Sequence, residues 1–273
     1  MNAPPRCVEV RIVRVLGSAP REVGACMLVS EDFAHGSIGG GHLEWHAQAR
    51  ARELLRDWRA GAHAPQRETH ALGPSLGQCC GGVVTLEYAA SQLGELPPAP
   101  PLFALQLHGA GHVGRALVRL LSTLPCSIDW IDERDDAFAA APLCEAAGPA
   151  SIRRIAVDAP QAEVTLAPAG GYVLVMTHSH ELDARICEAA LRRADLGFVG
   201  LIGSRTKRAR FEHRWLARGM QPEALQRLVC PIGDPRIPGK RPEVLAMAVA
   251  AQLLQHASVR SPTLARRRSS TPA

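Results

Sequence analysis

No run of eighteen or more apolar residues occurs in this chain of 273 residues, so no membrane-spanning helix is expected. The opening residues, MNAPPRCVEVRIVRV, lack the basic-then-apolar pattern of a secretory signal, and both absences together point to the cytoplasm. Cys-x-x-Cys is also missing, so a structural zinc ribbon is not suggested. In a chain without a signal peptide the eight cysteines read as thiols rather than as a disulfide framework. There is no long basic stripe either. The net charge is +5, part of it in Arg266, Arg267 and Arg268, and the remaining cations alternate with acids along helical stretches. Nucleic acid is therefore not an expected partner, while a modest basic excess suits phosphorylated small molecules. No internal repeat is found.

What is present is a globular composition with room for one large or two modest domains. The segment ELPPAPPL has four prolines in five positions and reads as a semi-rigid linker. It divides the chain into an N-terminal α+β domain (residues 1–94), a proline-rich linker (95–101), a Rossmann-like α/β domain with a parallel sheet (102–257) and a disordered tail (258–273). Before the linker, strands are expected at Val8–Leu16, Ala25–Ser30, Thr69–Leu72 and Val83–Tyr88, a hairpin tip at Asp32–Gly36, and a helix at His42–Arg59. After it, strands at Leu102–His108, Ser127–Ile131, Gly171–Thr177 and Gly197–Ile202 alternate with helices at His112–Leu124, Leu182–Arg193 and Arg205–Arg218. A last helix covers Pro242–Gln255. Such alternation implies right-handed βαβ units.

Gly109-Ala110-Gly111-His112-Val113-Gly114 follows an expected strand and opens an expected helix, which is the setting a GxGxxG fingerprint requires. Gly109 permits the tight turn, Gly111 lets the backbone approach a phosphate, and Gly114 lets helix and strand pack closely. The helix N-terminus offers N–H groups and a positive dipole end to an anion. Asp132 ends the next strand, 18 residues after Gly114, near the position of a ribose-binding acid. NAD(P) is thus a candidate ligand, and the same fold with another ligand is equally open. Gly203, Ser204 and Arg205 form a second loop of this kind, with Ser204 as helix cap and both loops expected to face one ligand. Lys207 and Arg208, in the following turns, read as a solvated basic face. In Thr177-His178-Ser179-His180-Glu181-Leu182-Asp183, the HxHxxD spacing resembles a metal-ligand set, but contact of His178 and His180 with a bound ligand at the sheet edge is the stronger expectation.

The most unusual stretch is Gln78-Cys79-Cys80-Gly81-Gly82. Adjacent cysteines do not easily form an unstrained disulfide, glycines leave the backbone exposed, and loop N–H groups lower a thiol pKa. Thiolates are soft metal ligands and sulfur carriers. A further loop, Gly39-Gly40-Gly41, precedes a helix and fits a phosphate cradle or a plain flexible connection equally well. Glu44 falls in the first helical turn, where a carboxylate favours the dipole.

Taken in order, VLGSAPR, GACMLV, IGGGHLE and GQCCGG resemble the N-terminal half of the XdhC/CoxI family. HGAGHVGRAL, IDER, MTHSHELD, VGLIGSRTKR and IGDPRIPGKRPEVLAMAVAAQLL resemble its C-terminal Rossmann half. The resemblance covers roughly Val8 to Gln255, and the motif order is kept. It implies an accessory protein that binds the molybdenum cofactor as cargo. Such a protein shelters the cofactor while a cysteine desulfurase supplies the terminal sulfido ligand, and helps insert it into the molybdenum subunit of xanthine dehydrogenase. It also implies self-association and a link between the motif of Cys79 and Cys80 and cofactor binding. The residues themselves suit this: a thiolate serves the molybdenum of the bound cofactor or its sulfur, and a cleft between the two domains is expected to enclose the cargo. Three other readings compete. They are an NAD(P)-dependent oxidoreductase with His178 or His180 as proton donor, a metal-binding or metallohydrolase domain built on His178, His180 and Asp183, and a scaffold that only docks onto the dehydrogenase.

Overall fold

The structure is a computed structural model that describes residues 7–58, 64–73, 81–92, 101–138 and 149–260. The chain divides into two compact units, Met1–Pro97 and Pro98–Ala273.

The first unit is a five-stranded antiparallel sheet with one helix. Its strands are β1 (Cys7–Leu16), β2 (Cys26–Val29), β3 (Ala34–Gly36), β4 (Gln66–Ala71) and β5 (Val83–Ser91), in the order β3-β2-β1-β5-β4, and its helix is α1 (Gly41–Trp58). Alternation sets the inner face: Val8, Val10 and Ile12 of β1 and Val84, Leu86 and Tyr88 of β5 are buried, as a period of two requires. They meet Leu43, Ala47, Ala51, Leu54, Leu55 and Trp58 of α1, which recur at helical spacing. A register shift between Ile12 and Arg14 marks a bulge in β1. The expected hairpin tip lies slightly earlier, at Ser30–Phe33, where the Ser30 hydroxyl accepts from the Asp32 and Phe33 N–H groups and Ala34 already opens β3. The fourth strand begins at Gln66 rather than Thr69.

The second unit holds a six-stranded parallel sheet. Its elements are β6 (Ala104–His108), α2 (His112–Leu121), β7 (Ser127–Asp132), β8 (Ser151–Ala156), α3 (Pro160–Glu163), β9 (Tyr172–Val175), α4 (His180–Arg192), β10 (Phe198–Leu201), α5 (Arg205–Ala217), α6 (Pro222–Gln226), β11 (Leu228–Val229) and α7 (Pro242–Arg260). The strand order is β11-β10-β9-β6-β7-β8, the doubly wound arrangement with its switch point between β6 and β9. The fold expected from the sequence is therefore present, with a Rossmann-like parallel sheet following an α+β unit. Helices α2 and α7 bury Leu117, Val118, Leu121, Val249 and Leu253 against one face. Leu182, Ile186, Phe211 and Trp215 of α4 and α5 cover the other. β9 and β10 are buried along their whole length, which explains their unbroken apolar sequence.

Several details differ from the sequence expectation: β6 starts at Ala104 and α2 ends at Leu121, and the short α3 was not expected. Strand β8 (SIRRIA) is half exposed and edge-positioned, so it carries no apolar alternation to read. The very short β11 and the helix α6 before it were likewise not anticipated. α4 starts at His180 rather than Leu182, because the Ser179 hydroxyl accepts from Leu182 N and caps it there. α7 runs through Arg260, so residues 258–260 are helical rather than tail.

Candidate functional site

The carboxyl ends of β6, β7 and β9 enclose a cleft of about 320 Å³ lined by Gly111, His112, Arg115, Arg134, Thr177 and His178, among others. Its floor is the glycine loop. Gly109 has φ +120°, and a Cβ there would lie 2.3 Å from the Met176 carbonyl oxygen, so only glycine fits between β6 and β9. A Cβ on Gly114 would lie 2.2 Å from the Gly109 carbonyl oxygen, which is the close helix–strand approach expected there. At Gly111, by contrast, a Cβ would meet nothing within 4 Å. Gly111 is the N-cap of α2 and supplies no side-chain cap for the first N–H groups of the helix. The Trp130 indole donates to Gly109 O at 3.1 Å and pins the loop from below.

Asp132 is at the expected place, and its carboxylate is already paired within the protein. It is 3% exposed, and both its oxygens are fully engaged. Oδ2 accepts from Ala110 N (2.7 Å) and Arg134 Nη2 (3.1 Å), and Oδ1 from Arg134 N and Nε (both 3.0 Å). Four donors match the roughly four lone-pair positions of a carboxylate, leaving none for a ribose diol. Burial works against ionisation of Asp132, but the Arg134 guanidinium and the Ala110 and Arg134 N–H groups outweigh it and hold its pKa below the ordinary value. The expected ribose acid thus holds the glycine loop in place.

His178 lines the cleft, and its Nε2 lies 3.2 Å from Glu133 Oε1. His180 begins α4 in an exposed position. Asp183 does not join them as a third ligand. It is fully buried, with Oδ1 accepting from Thr177 N and Oγ1 and Oδ2 2.5 Å from Lys207 Nζ. The metal-ligand reading of HxHxxD is corrected accordingly, and among the described residues no group of three or more His, Cys, Asp or Glu could hold a metal ion. Lys207 is not part of a solvated face either. Its side chain is 11% exposed and also donates to Ile202 O. The missing Cβ of Gly203 makes this possible, since one would sit 2.7 Å from Lys207 Cδ. Ser204 caps α5 as expected, accepting from Lys207 N. Gly203, Ser204 and the exposed Arg205 are not among the residues that line this cleft.

In the first unit, three loops converge. A Cβ on Gly39 would lie 2.5 Å from Pro20 Cγ, and one on Gly82 would lie 2.1 Å from Ser18 O. Leu72 N donates to Gly82 O at 2.8 Å, closing the base of the β4–β5 connection. Gln78, Cys79 and Cys80 belong to that connection and lie outside the described residues. The Gly39-Gly40-Gly41 loop is no open phosphate cradle. Glu44 reaches back from α1, and its Oε2 accepts from Ile38 N, Gly40 N and the Ser37 hydroxyl at 2.6–3.0 Å. The nest already holds an anion, and it is the protein's own. Burial opposes ionisation of Glu44, and these hydrogen bonds overcome it, so its pKa is lowered.

Sequence reasoning missed Arg115, Glu133 and Arg134. The available signal was the run Asp132-Glu133-Arg134 at a strand end, where a cation two residues after an acid can fold back onto it.

The XdhC Rossmann domain family matches residues 105–253, and the XdhC and CoxI family matches residues 2–64. The chain belongs to the XdhC and CoxI family. Uncharacterized protein YqeB of Escherichia coli is 24% identical over 246 residues, which make up 90% of this chain and 42% of YqeB. The chain therefore spans less than half the length of that relative. A crystal structure of a xanthine dehydrogenase from Bacillus halodurans is similar in fold, with a TM-score of 0.72 at 21% identity over 97% of this chain and 94% of that one. Among the described residues no helix is long and apolar enough to cross a membrane.

Proposed function

We propose that this protein is an accessory protein of a xanthine-dehydrogenase-type enzyme. It binds the molybdenum cofactor as cargo, shelters it while a cysteine desulfurase supplies the sulfido ligand, and delivers it to the molybdenum subunit. It does so in the cytoplasm as a homo-oligomer. Family membership in both halves supports the accessory role. The observation that favours a carrier over an NAD dehydrogenase is Asp132, whose lone pairs are taken up by Ala110 and Arg134, so it offers no free acceptor to the ribose 2′-OH of NAD. Cys79 and Cys80 are assigned to the molybdenum, for which thiolate is a suitably soft ligand, with Gln78 beside them. The Gly109–Gly111 loop is assigned to the cofactor's phosphate.

Reconstitution tests this. Cofactor-free xanthine dehydrogenase is incubated with cofactor, with or without this protein and a cysteine desulfurase, and its activity is followed. Activation that depends on the protein and disappears in the Cys79→Ala, Cys80→Ala double variant is the expected result. Equal activation without the protein contradicts the proposal.

One observation favours a second reading, an NAD(P)-dependent oxidoreductase. His178 lines the cleft with its Nε2 3.2 Å from Glu133 Oε1, a position from which a histidine can transfer a proton. Nicotinamide oxidation or reduction by the purified chain, abolished in His178→Ala, would establish it.

A further inference from the structure

Three features of the cleft in the second unit bear on the size and charge of what it takes. The first is Arg115. It is half-buried, lines the cleft, and donates through Nη1 to the carbonyls of Ala110 (2.9 Å) and Ala137 (3.5 Å). No carboxylate pairs with it among the described residues. A cation anchored to main-chain carbonyls and held against a cleft without a counter-ion attracts an anionic ligand. The acid that lines the cleft, Asp136, is exposed and forms no ion pair with Arg115 among the described residues. The open position at Gly111 and the uncapped first turn of α2 adjoin this arginine.

The second feature is the Arg134 clamp on Asp132, which occupies the carboxylate that would hold the 2′-hydroxyl of NAD's adenosine ribose. The third is the pair Glu133–His178. Glu133 follows β7 and His178 follows β9, and β6 lies between those strands. The pair therefore spans the end of β6, across the track a dinucleotide follows from one mononucleotide half to the other. The space that remains, about 320 Å³, is at the small end of the roughly 300–1,000 Å³ typical of ligand pockets.

We propose that the cleft takes a phosphomonoester rather than a dinucleotide, with Arg115 as its main cation and Arg134 as the residue that withdraws Asp132 from the ribose of NAD. The inference rests on the reading of this cleft as the ligand site of the Rossmann half, but not on molybdenum or on the cysteine pair. Its test is therefore separate from reconstitution of the dehydrogenase.

Isothermal titration of the full chain uses glycerol 3-phosphate as a plain phosphomonoester, with NAD+ and NADP+ in parallel. Glycerol 3-phosphate is expected to bind, and neither dinucleotide to reach a tenth of its affinity. Gly111→Ala fits the backbone, at φ −73°, and meets no neighbour. Its Cβ enters the cleft, and it is expected to weaken glycerol 3-phosphate at least tenfold with an unchanged thermal melt. Arg115→Gln is expected to weaken it similarly, and Arg134→Ala to gain NAD+ affinity at least tenfold. Either dinucleotide binding the wild-type chain as tightly as glycerol 3-phosphate overturns the proposal. So does monoester binding that is absent, or indifferent to both Gly111→Ala and Arg115→Gln.

Discussion

His108 ends β6 directly beneath the glycine loop, is completely buried, and has no hydrogen-bond partner on either ring nitrogen among the described residues. Burial alone pushes its pKa down to about 3, so the imidazole is neutral in the folded chain. The unfolded chain, with an ordinary histidine, takes up a proton below about 6.5. Stability from this group is therefore fully present above that pH and declines as pH falls toward 3. At pH 5 the loss is about 2 kcal/mol. Urea unfolding of His108→Leu across this range should show a flatter pH profile than wild type, and an unchanged slope would contradict the assignment. Lys207 and Asp183 form the other buried polar unit. Replacing Lys207 by Met leaves Asp183 charged and unpaired, at a cost of about 3–5 kcal/mol. The same denaturation measurement checks it, and a loss under 1 kcal/mol would mean that the pair is not holding α4 to α5. Neither residue's role could be read from sequence. Lys207 sits on a helix rich in arginine, and only the missing Cβ of Gly203 reveals where its stem goes. Asp132 was legible as a strand-end acid but not as a saturated one, because its Arg134 partner depends on how the chain turns after β7.

At the scale of elements, the legible parts were those with a periodic or steric signature. The glycine fingerprint, the Ser179 and Ser204 caps and the apolar strands β9 and β10 all follow from local chemistry. The exposed edge strand β8 and the two-residue β11 do not, since their pairing is set by neighbours rather than by their own residues. The loop at Gly39–Gly41 read equally well as a cradle or a connection, and the choice was made by a side chain seven residues from Ser37. Two substitutions probe this level. Gly114→Ala drives a Cβ into the Gly109 carbonyl, so α2 must shift, and calorimetry should show a loss of about 1–3 kcal/mol, in contrast to the tolerated Gly111→Ala. Glu44→Gln weakens the acceptor for the Ile38 and Gly40 N–H groups by about 1 kcal/mol. Because Glu44 titrates below its ordinary range, its ionised form contributes stability above about pH 4.5, and the contribution is lost as pH falls through the lowered folded value. Glu44→Gln should therefore be less sensitive to acid than wild type in that window, and a parallel acid profile would contradict the role given to the carboxylate.

For the whole molecule, each unit has its own core, one built by α1 on an antiparallel sheet and one by helices on both faces of a parallel sheet. The order of the family motifs carried more functional information than any single motif, because fold alone does not fix chemistry. The central claim is that the protein carries the molybdenum cofactor instead of turning over a nicotinamide. The most direct measurement is an anaerobic titration of the purified full-length chain with molybdenum cofactor. Stoichiometric binding that is lost in the Cys79→Ala, Cys80→Ala double variant is the expected result. No cofactor binding, together with tight binding and turnover of NAD(P), would contradict it.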